Sequence, residues 1–212
     1  QKMSKSLKNT VDPVSFVKTH GVDALRYYLM REAPMGHDGN FSHETFIQRY
    51  NADLANDLGN LSQRVLSFVY KNACSHVPTP DVLIKEDHDL LHEAKECLTL
   101  LRRYADQQAH SRMLEAIWRL ISLSNKYVDE MAPWHLKKTD TQRMETVLYV
   151  LLDVLRMIGL YILPFMPQTA TTLLNFLSVK EDERTFLKHP PLKPHTPLPA
   201  PVGLFPRIQS SL

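Results

Sequence analysis

The chain has 212 residues, 43% of them hydrophobic and 23% charged, with a formal net charge of +2. That length allows one good-sized core or two modest domains, and the mix is that of an ordinary globular protein. So small a net charge excludes a global field for nucleic acid, so any such affinity must come from local placement of Lys and Arg.

Taken in order, Lys2-Met3-Ser4-Lys5-Ser6 and the following Leu7-Lys8-Asn9 form a small cationic stretch. Compact ammonium charges with hydroxyl and backbone donors can hold a polyphosphate; a frayed tail has the same composition. Asp12-Pro13 predicts a helix start, with Val14 and Val17 as its apolar side, Phe16 flanking and Gly21 at the end. A second short helix from Asp23 places Leu25, Tyr28 and Leu29 on one face, and Ala33 to Asn40 is rich in turn formers.

Ser42 to Ala73 reads as one long helix capped by Ser42, with Phe46, Tyr50, Leu54, Leu58, Leu61, Val65, Phe68 and Val69 as its stripe. Pro78 and Pro80 break the chain, and further helices are expected over Asp87 to about Gln108 and Ser111 to about Met131. A break at Pro133 leads into Trp134. Thr141 to Leu163 is the most apolar helix; Asp153 and Arg156 inside it argue for a core helix and against a membrane span. Gln168 to Leu177 is a last short helix. Seven of the 14 prolines fall between Pro190 and Pro206, so the tail should be extended, with Pro201–Pro206 packing as a strand at a sheet edge.

The expected fold is therefore mainly α: a small α-rich connector over 1–42, a helical bundle over 43–180 and an extended proline-rich tail over 181–212. Cys74 and Cys97 lie far apart with no Cys-x-x-Cys pattern, which predicts buried, inert thiols in a reducing compartment, the cytoplasm or an organelle (mitochondrial) matrix. No metal site is expected. His88 and His92 share a helical face without a third ligand, and the adjacent Asp129 and Glu130 point in different directions.

Two features can carry recognition. Asn60 and Arg64 are neighbours on one helical face, roughly a quarter-turn from the centre of the apolar stripe. An amide and a guanidinium can read the edge of an unstacked nucleotide; equally, Arg64 can pair with an acidic group on a neighbouring helix. Trp134 follows a helix-breaking proline at a bundle end, where an indole can stack on a base or simply cap the core.

Lys2-Met3-Ser4-Lys5-Ser6, followed by Val11-Asp12-Pro13, resembles the KMSKS signature of class I aminoacyl-tRNA synthetases letter for letter. The resemblance implies a loop that closes over ATP and its Mg2+, with Lys5 on the phosphates, Lys2 assisting, and Met3, Ser4 and Ser6 completing the loop. The family's His-x-Gly-His element is missing, and His37-Asp-Gly does not fit it. A segment without it is expected to be the C-terminal part of a larger enzyme and inactive alone.

Arg49 to Arg64 (RYNADLANDLGNLSQR) resembles the anticodon-binding helix of methionyl-tRNA synthetases. Asp38–Ser42, Ala132-Pro133-Trp134 and Leu163–Pro167 are similar to that family in the same order. This implies a methionine-specific tRNA partner whose CAU anticodon contacts Asn60, Arg64 and Trp134. It also implies methionine and ATP as substrates of the full enzyme, and a basic flank (Lys2, Lys5, Lys8, Lys18, Arg26) at the inner corner of the tRNA. The tail would fold back on the catalytic domain, and no membrane is involved. Rival readings are another class I synthetase (cysteinyl, valyl, isoleucyl or leucyl) and a non-catalytic RNA-binding bundle.

Overall fold

The Asp12 carboxylate accepts hydrogen bonds from the amides of Val14 and Ser15 and starts helix α1 (Pro13–His20), as the Asp-Pro pair requires. The computed structural model describes residues 12–32, 41–186 and 190–209. The whole of Lys2-Met3-Ser4-Lys5-Ser6 lies outside them, as do Ala33 to Asn40.

Two expectations about the connector need correction. In α1 the buried residue is Phe16, while Val14 is 62% exposed. In α2 (Val22–Glu32) the buried face is Asp23, Ala24, Tyr27 and Tyr28, and Leu29 is 46% exposed. The reason is what these helices meet. Phe16 packs edge-on against Phe46, and Tyr27 lies against Trp118 with ring centroids 4.4 Å apart. Aromatic contacts with the bundle decide the face, beyond what aliphatic spacing within the helix can show.

The long helix spans His43 to Asn72 without a break, but its middle is not α. Helix α3 (His43–Arg49) passes into a π-helical segment (Tyr50–Gly59) and then into α4 (Asn60–Asn72). At the junction the amide of Asn60 reaches back to the carbonyl of Ala55. Gly59 permits this turn: a Cβ there would stand 2.8 Å from the Leu54 carbonyl oxygen. Gly59→Ala should therefore cost about 1–3 kcal/mol through backbone displacement, where the same change at an exposed helical site gains about 0.5–1 kcal/mol, read as a lower urea midpoint.

Helix α5 (Lys85–Asp106) packs along α6 (His110–Met131), and α8 (Thr141–Ile162) lies across α5, α6 and α4. Helix α5 begins two residues before Asp87, because the Asp87 carboxylate accepts the Ile84 amide at 3.0 Å and so closes the first turn. Helix α8 is buried on nearly every side from Val147 onward, which is the pattern of a central helix. Its two buried charges satisfy each other, Arg156 Nε donating to Asp153 Oδ1 at 2.7 Å. Among the described residues no helix is long and apolar enough to cross a membrane.

The turn after α8 is where the connector is anchored. Arg26 donates to the carbonyls of Phe165 (2.8 Å) and Pro164 (2.9 Å), and Asp23 accepts the Thr169 amide (2.7 Å) in the first turn of α9 (Pro167–Phe176). Arg26 is thus committed to helix-end carbonyls, unlike a solvated cation on a basic flank.

Among the described residues the tail forms no strand: it begins with a short helical turn (Glu181–Glu183), is extended from Pro190, and its only ladder element is an isolated bridge between His76 and Pro197. Three main-chain hydrogen bonds tie it there, Val77 N to Thr196 O, His195 N to Val77 O and Leu198 N to Ser75 O. Its prolines lack the amides to extend that ladder, so side chains hold the rest. Tyr149 donates to Leu192 O (3.0 Å), and Tyr50 to Pro206 O (3.1 Å). The Asn51 amide donates to Ile208 O and accepts from Ile208 N, both at 2.9 Å. The tail thereby runs antiparallel to the long helix, from His76 beside Pro197 to Asn51 beside Ile208.

Candidate nucleic-acid interface

Helix α6 ends when Ala132 turns left-handed (φ 44°, ψ 61°), its amide still donating to Val128 O. Pro133 then opens a short helix α7 (Pro133–Thr139) at its first position, where a missing amide costs nothing. Sequence reasoning saw the break but not this helix. The turn buries Pro133 and leaves Trp134 39% exposed at the bundle end.

The long helix brings Arg64 to the same place. Its guanidinium carbon lies 5.5 Å from the Trp134 ring centroid, and Nη2 donates to Asp129 Oδ1 at 2.6 Å. Val65, Phe68, Val128, Leu148 and Leu151 complete a concavity of about 140 Å³ between Arg64 and the indole. The Arg64–Asp129 pair sits at the rim with the carboxylate largely exposed, so it holds Arg64 weakly, by about 0–1 kcal/mol. The site joins a flat ring with one open face, an apolar recess and a cation free to change partners. It can take a planar heteroaromatic, stacked on the indole with a polar edge toward the guanidinium.

Asn60 stands apart from this pocket. It is the first residue of α4, one turn before Arg64, exposed and without a side-chain hydrogen bond among the described residues. It lines a second cleft, shared with Asn56, Gln63 and the tail at Gly203–Phe205. Lys137 and Lys138 are exposed in the last turn of α7.

Asp129 is the residue that sequence reasoning missed. Its proximity to Glu130 was beside the point; its partner is Arg64, 65 positions away, and only the packing of α4 on α6 brings them together. The alternative that Arg64 pairs with an acid on a neighbouring helix therefore holds, and the same arginine also faces the indole. Of the cysteines, Cys97 is buried as expected and desolvation pushes its thiol up to about 12, but Cys74 is exposed. Among the described residues no three His, Cys, Asp or Glu side chains could hold a metal together.

The comparisons with known proteins agree on one family. Residues 1–66 match a family model described as tRNA synthetases class I (M), and residues 77–209 match the anticodon binding domain of methionyl tRNA ligase. A methionine–tRNA ligase of Brucella suis is 47% identical over 98% of this chain, and one of Mycobacterium leprae is 45% identical over 100% of it. The Mycobacterium tuberculosis methionyl-tRNA synthetase in complex with methionyl-adenylate superposes with a TM-score of 0.93 at 44% identity. That match covers 97% of this chain and 42% of the other. The chain spans 41% of the length of the Brucella relative and 40% of the Mycobacterium leprae one.

Proposed function

This chain belongs to the methionyl-tRNA synthetase family, and we propose that the whole protein attaches methionine to its tRNA at the expense of ATP, this segment reading the anticodon. The methionine carboxylate attacks the α-phosphorus of ATP and releases pyrophosphate, giving the adenylate; a terminal ribose hydroxyl of the tRNA then takes the methionyl group and releases AMP. Lys5 and Lys2, in the loop Lys2–Ser6, stabilise the charge that develops on the departing pyrophosphate, with Met3, Ser4 and Ser6 shaping the loop. Mg2+ enters with ATP as part of the substrate. The reaction belongs in the cytoplasm, and the chain divides at 1–42, 43–180 and 181–212.

Arg64 held over Trp134, beside an open apolar recess, is the observation that carries the anticodon reading. A base of the CAU anticodon stacks on the indole, a contact worth about 1–3 kcal/mol. Arg64 exchanges the Asp129 carboxylate for the base edge, and Asn60 meets the next base. The test is charging by the whole protein. It should charge a CAU-bearing methionine tRNA and lose at least about tenfold in kcat/KM when the first anticodon base is replaced. Equal charging of both would overturn the reading.

A further inference from the structure

Three primary amides, Asn56, Asn60 and Gln63, fall within eight residues of the long helix and line one cleft on its outer face. The opposite wall of that cleft is the tail, Gly203 to Phe205, and the space between is about 610 Å³ and open to solvent. The tail is not draped there loosely. The Asn51 clamp on Ile208 and the Tyr50 bond to Pro206 fix the residues just beyond it, and Phe205 stands edge-on to Tyr50 at 5.8 Å. The tail passes directly over Gly59, where a Cβ would meet Phe205 Cβ at 3.7 Å, an ordinary contact distance.

The lining carries no charge, so it suits neither a phosphate nor a charged peptide. Its polar groups are amides. Asn56 and Asn60 make no side-chain hydrogen bond among the described residues, and Gln63 Nε2 is spent on Ser67 Oγ at 2.7 Å, leaving its carbonyl oxygen on the Gly203 side. A primary amide matches the donor–acceptor edge of an unpaired base, and the half-buried Leu204 and Phe205 offer an apolar side against which its face can lie. Asn60 joins the two sites, since Gln63 and Arg64, three and four residues on, face the tail cleft and the indole pocket respectively.

We propose that the C-terminal tail is a wall of the RNA-binding surface, and that the cleft between Asn56, Gln63 and Phe205 receives a second unpaired base of the loop whose neighbour stacks on Trp134. This rests on the anticodon reading above. Base specificity would then come from both sides of α4, with the tail and α7 each supplying a hydrophobic face.

The experiment uses the whole synthetase with methionine tRNA, and reads tRNA-independent ATP–pyrophosphate exchange in parallel. Asn56→Ala removes an amide without a side-chain partner among the described residues, and Gln63→Ala gives up only an exposed bond to Ser67 Oγ, so a folding defect would show as lost exchange in a way that a lost base contact would not. Each is expected to lower kcat/KM for charging about tenfold with exchange unchanged, and Phe205→Ala to do the same. A stem minihelix without the anticodon loop should be charged equally by all variants. If these three charge intact tRNA like wild type while Arg64→Ala fails, the tail cleft is not a base site and the anticodon reading stands. If Arg64→Ala also charges like wild type, both fall.

Discussion

Asp87→Ala should destabilise the protein by about 3–5 kcal/mol, the largest effect of any single polar substitution in the bundle. The carboxylate is fully buried in the first turn of α5 and accepts both arms of the Arg143 fork, at 2.6 and 2.7 Å, the Tyr127 hydroxyl, and the Ile84 amide. It ties α5 to α6 and α8 in one network. Removing it strands the Arg143 guanidinium and the Tyr127 hydroxyl in a space with no other acceptor of that strength. Urea denaturation should show a lower midpoint at an unchanged slope; a loss under about 1 kcal/mol would mean water replaces the carboxylate without penalty.

The same network sets an acid limit. Burial alone would raise the Asp87 carboxyl, but the Arg143, Tyr127 and Ile84 hydrogen bonds outweigh it and hold the group below the ordinary carboxylate range. A carboxylate lowered on folding stabilises the fold fully above its unfolded value, about 3.9, and loses that contribution as pH falls through the lower folded value. Asp87→Asn should therefore flatten the fall in stability below about pH 4, which a series of urea titrations would show.

The second large effect is expected in tRNA charging. Trp134→Ala removes the stacking face, and Arg64→Ala removes both the cation over the ring and the donor fork. Each should lower kcat/KM for methionine tRNA by about tenfold to a hundredfold and leave ATP–pyrophosphate exchange intact. Arg64→Lys should rescue little, because an ammonium cannot present two parallel donors to a base edge. Asp129→Asn removes a rim carboxylate that competes for Arg64 and repels phosphate, so it should not weaken charging of the same tRNA.

Helix positions were legible wherever the signal was local: Asp12-Pro13, Ser42, the proline breaks and the apolar α8 all stand where spacing and capping put them. The π segment was written in the sequence in a form easy to pass over. Phe46, Tyr50, Leu54 and Leu58 recur every four residues, a repeat that drifts roughly 40° forward per step in an α-helix and backward in a π turn, so a helix that passes from one into the other keeps them on one buried face. What could not be read was anything set by partners distant in sequence. The buried face of α2 depends on Trp118, the fate of Arg26 on the carbonyls after α8, and that of Arg64 on Asp129. The tail showed its composition but not its course, since partners far away in sequence decide where it lies: Tyr149, the main chain at Ser75 and Val77, and Tyr50 and Asn51 of the π segment. Trp134 and Arg64 were legible as candidates because each is an unusual residue at the edge of an otherwise regular pattern. Their meeting was not.

The claim that this bundle reads an anticodon is tested most directly by crossing the protein change with the RNA change. The measurement is kcat/KM for methionine charging by the whole enzyme, wild type and Trp134→Ala, on tRNAs with the CAU anticodon and with its first base replaced. If the base stacks on Trp134, the penalty for the replaced base is large in the wild type and nearly disappears in the variant. An equal penalty in both enzymes would place the anticodon somewhere else on the protein.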